Sequence, residues 1–244
     1  MGFRLLGPLE ACFSGESLTL GGPRQRAVLA ALLMRANRVS TMEYLTEATW
    51  DKPPAAPESN IRTYVAGLRR RLGGQHASAR RLTGRPGGYL LQAFPGELDS
   101  DVFSELVDEG DAALRNGDSE AALDRFGQAL ALWRGRPMEG LEVGAPLRAG
   151  AARLEAMRVS AAQRFAEAAS ALGRHDETVT LLRGLTAEHP LDERLWAELM
   201  SALHWAGRRA EVLDAYAQIR RRLIDELGIE PGPQLRRLHQ RALA

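Results

Sequence analysis

Cysteine and lysine each occur once, as Cys12 and Lys52, in a chain of 244 residues. A single thiol excludes an intrachain disulfide and any multi-cysteine metal site, and a free thiol suits a reducing compartment. No apolar run approaches the length of a membrane span. The opening Met1-Gly-Phe-Arg-Leu-Leu6 lacks the charged-then-hydrophobic layout of a secretion signal. Motifs for chemistry are missing too: there is no Walker loop, no GxGxxG and no GxSxG. The segment Gly84–Gly88 reads as a turn because no helix follows it. His76, His175, His189, His204 and His239 have no metal-ligand spacing, and His175-Asp176 reads as a helix cap. The expectation is a soluble cytoplasmic protein that works by binding, with no catalytic residues, no metal, no cofactor and no membrane partner.

What the chain has instead is arginine, unevenly partnered by acid. The whole carries a net charge of +1. Residues 1–95 hold 13 Lys and Arg against 6 Asp and Glu, a net of +7, and residues 96–244 hold 19 against 25, a net of −6. A basic front and an acidic rear suggest that only the front meets a polyanion. Arginine's planar fork suits phosphate and guanine, although GC-rich coding yields the same bias.

Short strands are expected at Phe3–Leu6, Ala11–Phe13 and Leu18–Leu20, broken by Gly7-Pro8 and Ser14-Gly15. Pro23 can occupy the first turn of a helix over Arg24–Ala36, with Val28, Leu29, Leu32 and Leu33 on its core side. Ser40 and Glu43 have the spacing of a capping box that opens a second helix ending near Trp50. A proline-rich loop (Pro53, Pro54, Pro57) leads into a third helix from Glu58 to Leu72. Its Ile61, Val65, Leu68 and Leu72 recur at helical spacing. Arg80–Thr83 and Tyr89–Leu91 then flank a Gly/Pro turn, which makes a hairpin with Arg85 at its tip. Strands, three helices and a hairpin in that order describe a winged helix. From Leu98 the texture becomes alanine- and leucine-rich helix. Gly117, Gly173 and Gly207 are each followed six residues later by Leu123, Val179 and Leu213, and nine residues later by Phe126, Leu182 and Tyr216. The last two glycines are separated by the 34-residue period of tetratricopeptide helix pairs. The expected fold is mainly α with a small β part. A winged-helix DNA-binding domain over 1–95 precedes an all-α tetratricopeptide-like domain over 96–244, with the seam at Phe94–Asp99.

The third helix sets an apolar stripe against basic, amide and hydroxyl groups, as a major-groove reader requires. Arg62, Thr63 and Tyr64 lie early in it, off the stripe, where side chains reach base edges. Arg62 suits guanine and the Thr63 methyl suits thymine; Asn60 either reads adenine or holds the helix start; Tyr64 either touches DNA or packs against the wing. Arg69, Arg70 and Arg71 lie further along, placed to clamp phosphates or simply to complement the helix C-terminus. Arg24, Arg26 and the Trp50 indole N–H are further phosphate candidates, Trp50 being otherwise a core or loop anchor. Arg85 is placed for the minor groove.

These residues resemble the Streptomyces antibiotic regulatory protein (SARP) family. The likeness rests on Phe3-Arg-Leu-Leu-Gly-Pro-Leu9, Gly21-Gly-Pro-Arg-Gln-Arg-Ala27, Ala36-Asn-Arg-Val39, Leu68-Arg-Arg-Arg-Leu-Gly73 and Gly88-Tyr-Leu-Leu91. It continues through Ala131-Leu-Trp-Arg-Gly135, Ala171-Leu-Gly-Arg-His175, His189-Pro-Leu191 and Asp225-Glu-Leu-Gly-Ile-Glu-Pro-Gly-Pro233. The resemblance implies an OmpR-type winged helix followed by a bacterial transcriptional activation domain. It further implies activation of a secondary-metabolite (antibiotic) gene cluster by a nucleoid-associated protein. Such a protein binds direct repeats in double-stranded promoter DNA near the −35 region as a dimer, and recruits RNA polymerase holoenzyme through its principal sigma factor. Asp51 stands where the family often has glycine. Some members continue into ATPase and sensor domains, so this chain reads either as a small member or as the first part of a longer one. A tetratricopeptide-type signalling adaptor and an operator-binding repressor are the competing readings.

Overall fold

The computed structural model describes residues 2–73 and 81–243. Arg80 of the expected hairpin, and the polar stretch that contains His76, lie outside the described residues. Contacts divide the chain into two compact units, one formed by Met1–Glu105 with Ala131–Met157 and the other by Leu106–Leu130 with Arg158–Ala244. The first is therefore built from two separated stretches of sequence.

The first unit opens with strands β1 (Gly2–Arg4), β2 (Glu10–Phe13) and β3 (Glu16–Ser17) in an antiparallel sheet, with Phe3 opposite Ala11. Two expected strand limits are corrected. Leu5 and Leu6 leave the strand because their amides donate to the buried Asp99 carboxylate, at 2.7 and 3.0 Å. Burial pushes that carboxyl up from its ordinary value, although the two amides and Arg134 pull against the shift. The third strand precedes Leu18–Leu20 instead of occupying it, because the tight turn at Ser14-Gly15 brings Glu16 opposite Phe13.

Helix α1 (Pro23–Met34) starts on proline, whose missing N–H costs nothing in a first turn. Every residue from Ala27 to Leu33 is buried, not one face alone, because α1 packs on α2 (Met42–Thr49), on α3 (Pro57–Gly73) and on the hairpin strand β6 (Gly88–Leu91). A strand that local pattern did not suggest, β4 (Val39–Thr41), pairs with β6, which in turn pairs with β5 (Leu82–Arg85). This strand overturns the expected capping box. Ser40 is drawn into the sheet and fully buried, and Thr41 caps α2 by accepting from the Tyr44 N–H at 3.2 Å. The hairpin turn is Pro86-Gly87, the pair that a tight turn with positive φ in its second place demands.

The first unit is completed by the start of α4 (Asp99–Arg115), and by Ala131 onward into the start of α6 (Ala145–Ala171). The returning stretch docks through its backbone. Arg134 N–H donates to Leu6 O at 2.8 Å, Met138 N–H to Leu5 O at 3.0 Å and Gly144 N–H to Ala48 O at 2.8 Å. Met138 and Leu147 enter the same core as Ile61 and Leu68. At Gly144 the approach is so close that a Cβ would sit 1.7 Å from Glu47 O, so only glycine fits.

The second unit is all helix: the end of α4, α5 (Ser119–Ala131) up to Leu130, the end of α6, α7 (His175–Glu188), α8 (Glu193–Trp205), α9 (Arg209–Leu227) and α10 (Pro233–Leu243). Gly117, Gly173 and Gly207 hold φ of +77°, +71° and +72° at the turns, so the glycine repeat marks real helix pairs. Leu123, Phe126, Val179 and Leu182 are buried as the period predicts. The third copy is displaced by one residue: Val212, Ala215 and Ile219 take the core, while Leu213 and Tyr216 are half-buried. The Tyr216 ring stacks instead on His239 of α10, with centroids 4.0 Å apart. No described helix is long and apolar enough to cross a membrane.

Candidate nucleic-acid interface

Helix α3 begins on Pro57, with Glu58 in its first turn and Arg70 and Arg71 in its last, charges that complement the helix dipole. Ile61, Val65, Leu68 and Leu72, all at most 3% exposed, seat it on α1 and α2. At 3.6 residues per turn, the face turned away from that stripe carries Ser59, Thr63, Ala66 and Arg70, with Arg62 and Arg69 along one flank. Ser59 and Ala66 were missed from sequence. They carry no charge to draw notice, and only their exposure beside Thr63 and Arg70 brings them forward.

The expected site residues separate into two sets. Arg62, Thr63 and Arg70 are exposed on α3. Arg62 pairs with Glu58 one turn earlier at 2.7 Å, and Thr63 Oγ1 donates to Ser59 O at 3.1 Å. Arg70 makes no hydrogen bond or ion pair among the described residues. Arg69 Nε donates to Leu82 O at 2.9 Å and its guanidinium lies 5.5 Å from the Tyr89 ring centroid, which ties the helix end to the hairpin. Arg71 Nη1 donates to Thr19 O at 3.0 Å, and Arg26 Nη2 donates to Leu9 O at 3.4 Å. Each of these keeps donors to spare, since guanidinium has five. Arg85 is exposed at the end of β5 and unpaired among the described residues. Asn60 is half-buried on the flank opposite Arg62, with no side-chain hydrogen bond among the described residues.

Three of the expected residues are engaged within the chain. Trp50 is only 9% exposed and belongs to the core, and Tyr64 packs against the same core with its ring 6.3 Å from the Trp50 ring. The pair braces α3 against the end of α2, and neither polar atom makes a hydrogen bond among the described residues. Arg24 points toward the returning stretch: it donates to Thr49 O at 3.0 Å, to Glu142 O at 3.2 Å and to the Glu142 carboxylate at 3.1 Å. Its position at the start of a helix suggested phosphate; unlike Arg26, Arg69 and Arg71 it is paired with a carboxylate, that of Glu142.

Electrostatically the α3 face is relieved of acid. Glu58 is held by Arg62, and Asp51, in the loop before α3, is gripped by both terminal nitrogens of Arg148 at 2.7 and 2.8 Å. Hydrogen bonding to Arg148 holds the Asp51 carboxyl below its ordinary value. This acid is thus matched by a cation from the returning stretch. What remains is an amphipathic helix presenting guanidinium, hydroxyl and methyl groups, beside a hairpin that ends in arginine. That arrangement suits duplex DNA.

The family model described as "Bacterial transcriptional activator domain" matches residues 98–243, and the one described as "Transcriptional regulatory protein, C terminal" matches residues 15–91. The chain is 36% identical over 250 residues to the regulatory protein DnrI of Streptomyces peucetius, covering all of this chain and 92% of that protein. The chain belongs to the Streptomyces antibiotic regulatory protein family. It is a transcriptional regulator of that type, with an OmpR-type DNA-binding segment ahead of its helical domain. It is also 39% identical to the regulatory protein AfsR of Streptomyces coelicolor, across 99% of this chain but 24% of that protein. The solved structure of Mycobacterium tuberculosis EmbR in complex with a low affinity phosphopeptide superposes with a TM-score of 0.83 at 36% identity. It covers 99% of this chain and 64% of that one. Of AfsR and EmbR, therefore, the chain spans less than two thirds.

Proposed function

We propose that this SARP regulator activates a secondary-metabolite (antibiotic) gene cluster by binding direct repeats in promoter DNA near the −35 region. Two copies bind tandem repeats spaced about one helical turn, ~10.5 base pairs, which sets both on the same side of the duplex. They then recruit RNA polymerase holoenzyme through its principal sigma factor. The protein works in the cytoplasm at the nucleoid, by binding and not by catalysis. The winged-helix domain is taken as residues 1–95 and the activation domain as 96–244, with 131–157 buttressing the former.

The observation that carries this reading is the exposed α3 face, where Arg62, Thr63 and Arg70 stand together with no unmatched carboxylate among the described residues. Arg62 exchanges its surface pair with Glu58, of a kind worth at most about 1 kcal/mol, for two bonds to a guanine edge. Thr63 contacts the neighbouring base and Asn60 reaches from the other flank. Arg69, Arg70, Arg71 and Arg26 contact phosphates, and Arg85 enters the minor groove. The polymerase-facing surface is the loop 51–57 together with the activation domain, whose acidic excess complements basic patches.

Fluorescence anisotropy with cognate and scrambled promoter duplexes tests the reading. Arg62→Ala is expected to lose about 1–3 kcal/mol of discrimination between the two. Unchanged discrimination removes Arg62 from the base-reading set. Transcription with purified polymerase separates activator from repressor, because only an activator raises the yield from the same repeats.

A further inference from the structure

The second unit contains a cleft of about 490 Å³ lined by α6, α7 and α8, among them Thr178, Glu198, Trp205 and His175. Three features of it stand out. The first is Thr178. It is 2% exposed, yet its hydroxyl has no hydrogen-bond partner, and it lines the cleft. Thr180 and Thr186 on the same helix donate back to the carbonyls of Asp176 and Leu182, as helical threonines commonly do. Thr178 does not. The repeat sharpens the oddity: five residues after each turn glycine comes Ala122, Thr178 or Val212, all buried, and only the middle copy sets a hydroxyl among apolar neighbours. A buried hydroxyl without a partner is costly unless something else supplies one.

The second feature is Glu198, half-buried and without an ion-pair partner among the described residues. Burial pushes its carboxyl up. The other charged groups lining the cleft are Arg164 and Glu167, with His175 beside them. Arg164 lies 3.7 Å from both Asp111 and Glu167, so it is committed to them and not to Glu198. The third feature is Trp205, 67% exposed in a chain whose other tryptophans are each at most 9% exposed. His175 stacks on one side of it, with centroids 6.3 Å apart and planes 21° apart. Much of the indole is still open.

The chemistry of these groups selects the ligand. An anion meets two carboxylates. A purely apolar group desolvates Glu198 with nothing in exchange. A cation gains on every count: a carboxylate to pair with, an indole face that attracts positive charge, and a buried hydroxyl oxygen that accepts from its N–H. We propose that this cleft is a binding site for an organic cation. The ligand is a guanidinium or ammonium group on a carbon stem, supplied by an arginine or lysine of a partner protein or by a free amine. Glu198 takes the charge, Trp205 covers the stem and Thr178 accepts one hydrogen bond. The site stands or falls independently of the DNA-binding reading, since it uses no residue of α3.

The test uses the full chain, with Trp205 emission and calorimetry as readouts. The probes are agmatine, a blocked glycine peptide carrying one arginine, and the same peptide with citrulline, which keeps the shape without the charge. Saturable binding of agmatine or the arginine peptide is expected, with the citrulline peptide about tenfold weaker or silent. Glu198→Gln should weaken the charged probe about tenfold, and Trp205→Ala, a surface change, should weaken it by a smaller factor in calorimetry. Tighter binding of the peptide than of agmatine identifies a protein segment as the source of the cation; the reverse order identifies a free amine; either supports the site. Equal binding of arginine and citrulline peptides overturns it, as does the absence of any saturable signal up to about 10 mM. Should Glu198→Gln lose its helical circular dichroism, the citrulline comparison and Trp205→Ala decide the matter alone.

Discussion

Arginine serves different ends among the helices of the second unit and at the end of α3 with the hairpin. In the helical unit several arginines are matched with acid: Arg158 with Glu188, Arg174 with Glu120 and Glu177, Arg183 with Glu211, Arg208 with Asp176 and Glu211, and Arg220 with Glu230. On α3 and the hairpin the pattern is different. Arg69 and Arg71 bond to backbone carbonyls, which satisfies geometry without cancelling charge, and Arg70 and Arg85 are unpaired among the described residues. The same side chain is thus a surface cross-link at these pairs and a source of positive field at the end of α3 and on the hairpin. Composition alone cannot distinguish the two uses; the position of carboxylates does.

The largest effect expected from breaking this contrast lies beneath it, in how each unit tolerates a small residue's replacement. Gly144→Val places side-chain atoms inside the backbone of Glu47. It should cost the first unit about 3 kcal/mol or more, seen as a lowered midpoint in urea. The matching change in the second unit, Gly184→Ala within α7, meets nothing within 4 Å and should raise stability by about 0.5–1 kcal/mol. If both changes behave alike, the returning stretch is not the clamp that its hydrogen bonds indicate.

Next comes the charge contrast itself. Arg70→Ala should weaken binding to every duplex several-fold and reduce the slope of log affinity against log salt by about 1. Arg220→Ala, which removes a guanidinium already paired with Glu230, should leave both quantities unchanged. Equal losses would mean that net charge, not the α3 face, attracts DNA.

Acid should act on the first unit through Glu97. Burial alone would push this carboxyl up, but hydrogen bonds from Arg81 and from the Phe94 N–H overcome burial and hold it at about 2. A folded-state value below the ordinary 4.5 means that the group stabilises the fold above pH 4.5, and that this stabilisation disappears as pH falls toward about 2. Glu97→Gln should flatten that part of the stability–pH curve, followed by the Trp emission of thermal melts. The smallest effect is expected at the surface: Arg148→Ala should let the Asp51 carboxyl return upward toward its ordinary value, resolved by NMR titration, with little change in melting.

Much of this molecule is legible in one dimension because much of it is helical. Periodicity located α3 to within a residue, and its four core positions are the four that are buried. The glycine repeat located three helix pairs. Reading failed where a local pattern competes with a distant one. Ser40 and Glu43 have capping-box spacing, yet pairing of β4 with β6 claimed Ser40 and moved the cap to Thr41. Tyr216 fits the repeat, yet α10, which no period announces, offered its ring a stacking partner and shifted the third copy by one residue.

The linear chain by itself settled the four core positions of α3, the start of α1 near Pro23 and the glycine turns of the helical unit, because 3.6-residue periodicity, proline and left-handed glycine act over a few residues. Only the folded chain decided that Trp50 and Tyr64 pack with the core and that Arg24 is tied to Glu142, while Arg62 and Arg70 stay outside. It also decided that residues 131–157 return to finish the first unit. Those outcomes depend on carbonyls, carboxylates and rings tens of residues or more away in sequence. A side chain's partner at that range is chosen by packing, which no local spacing encodes.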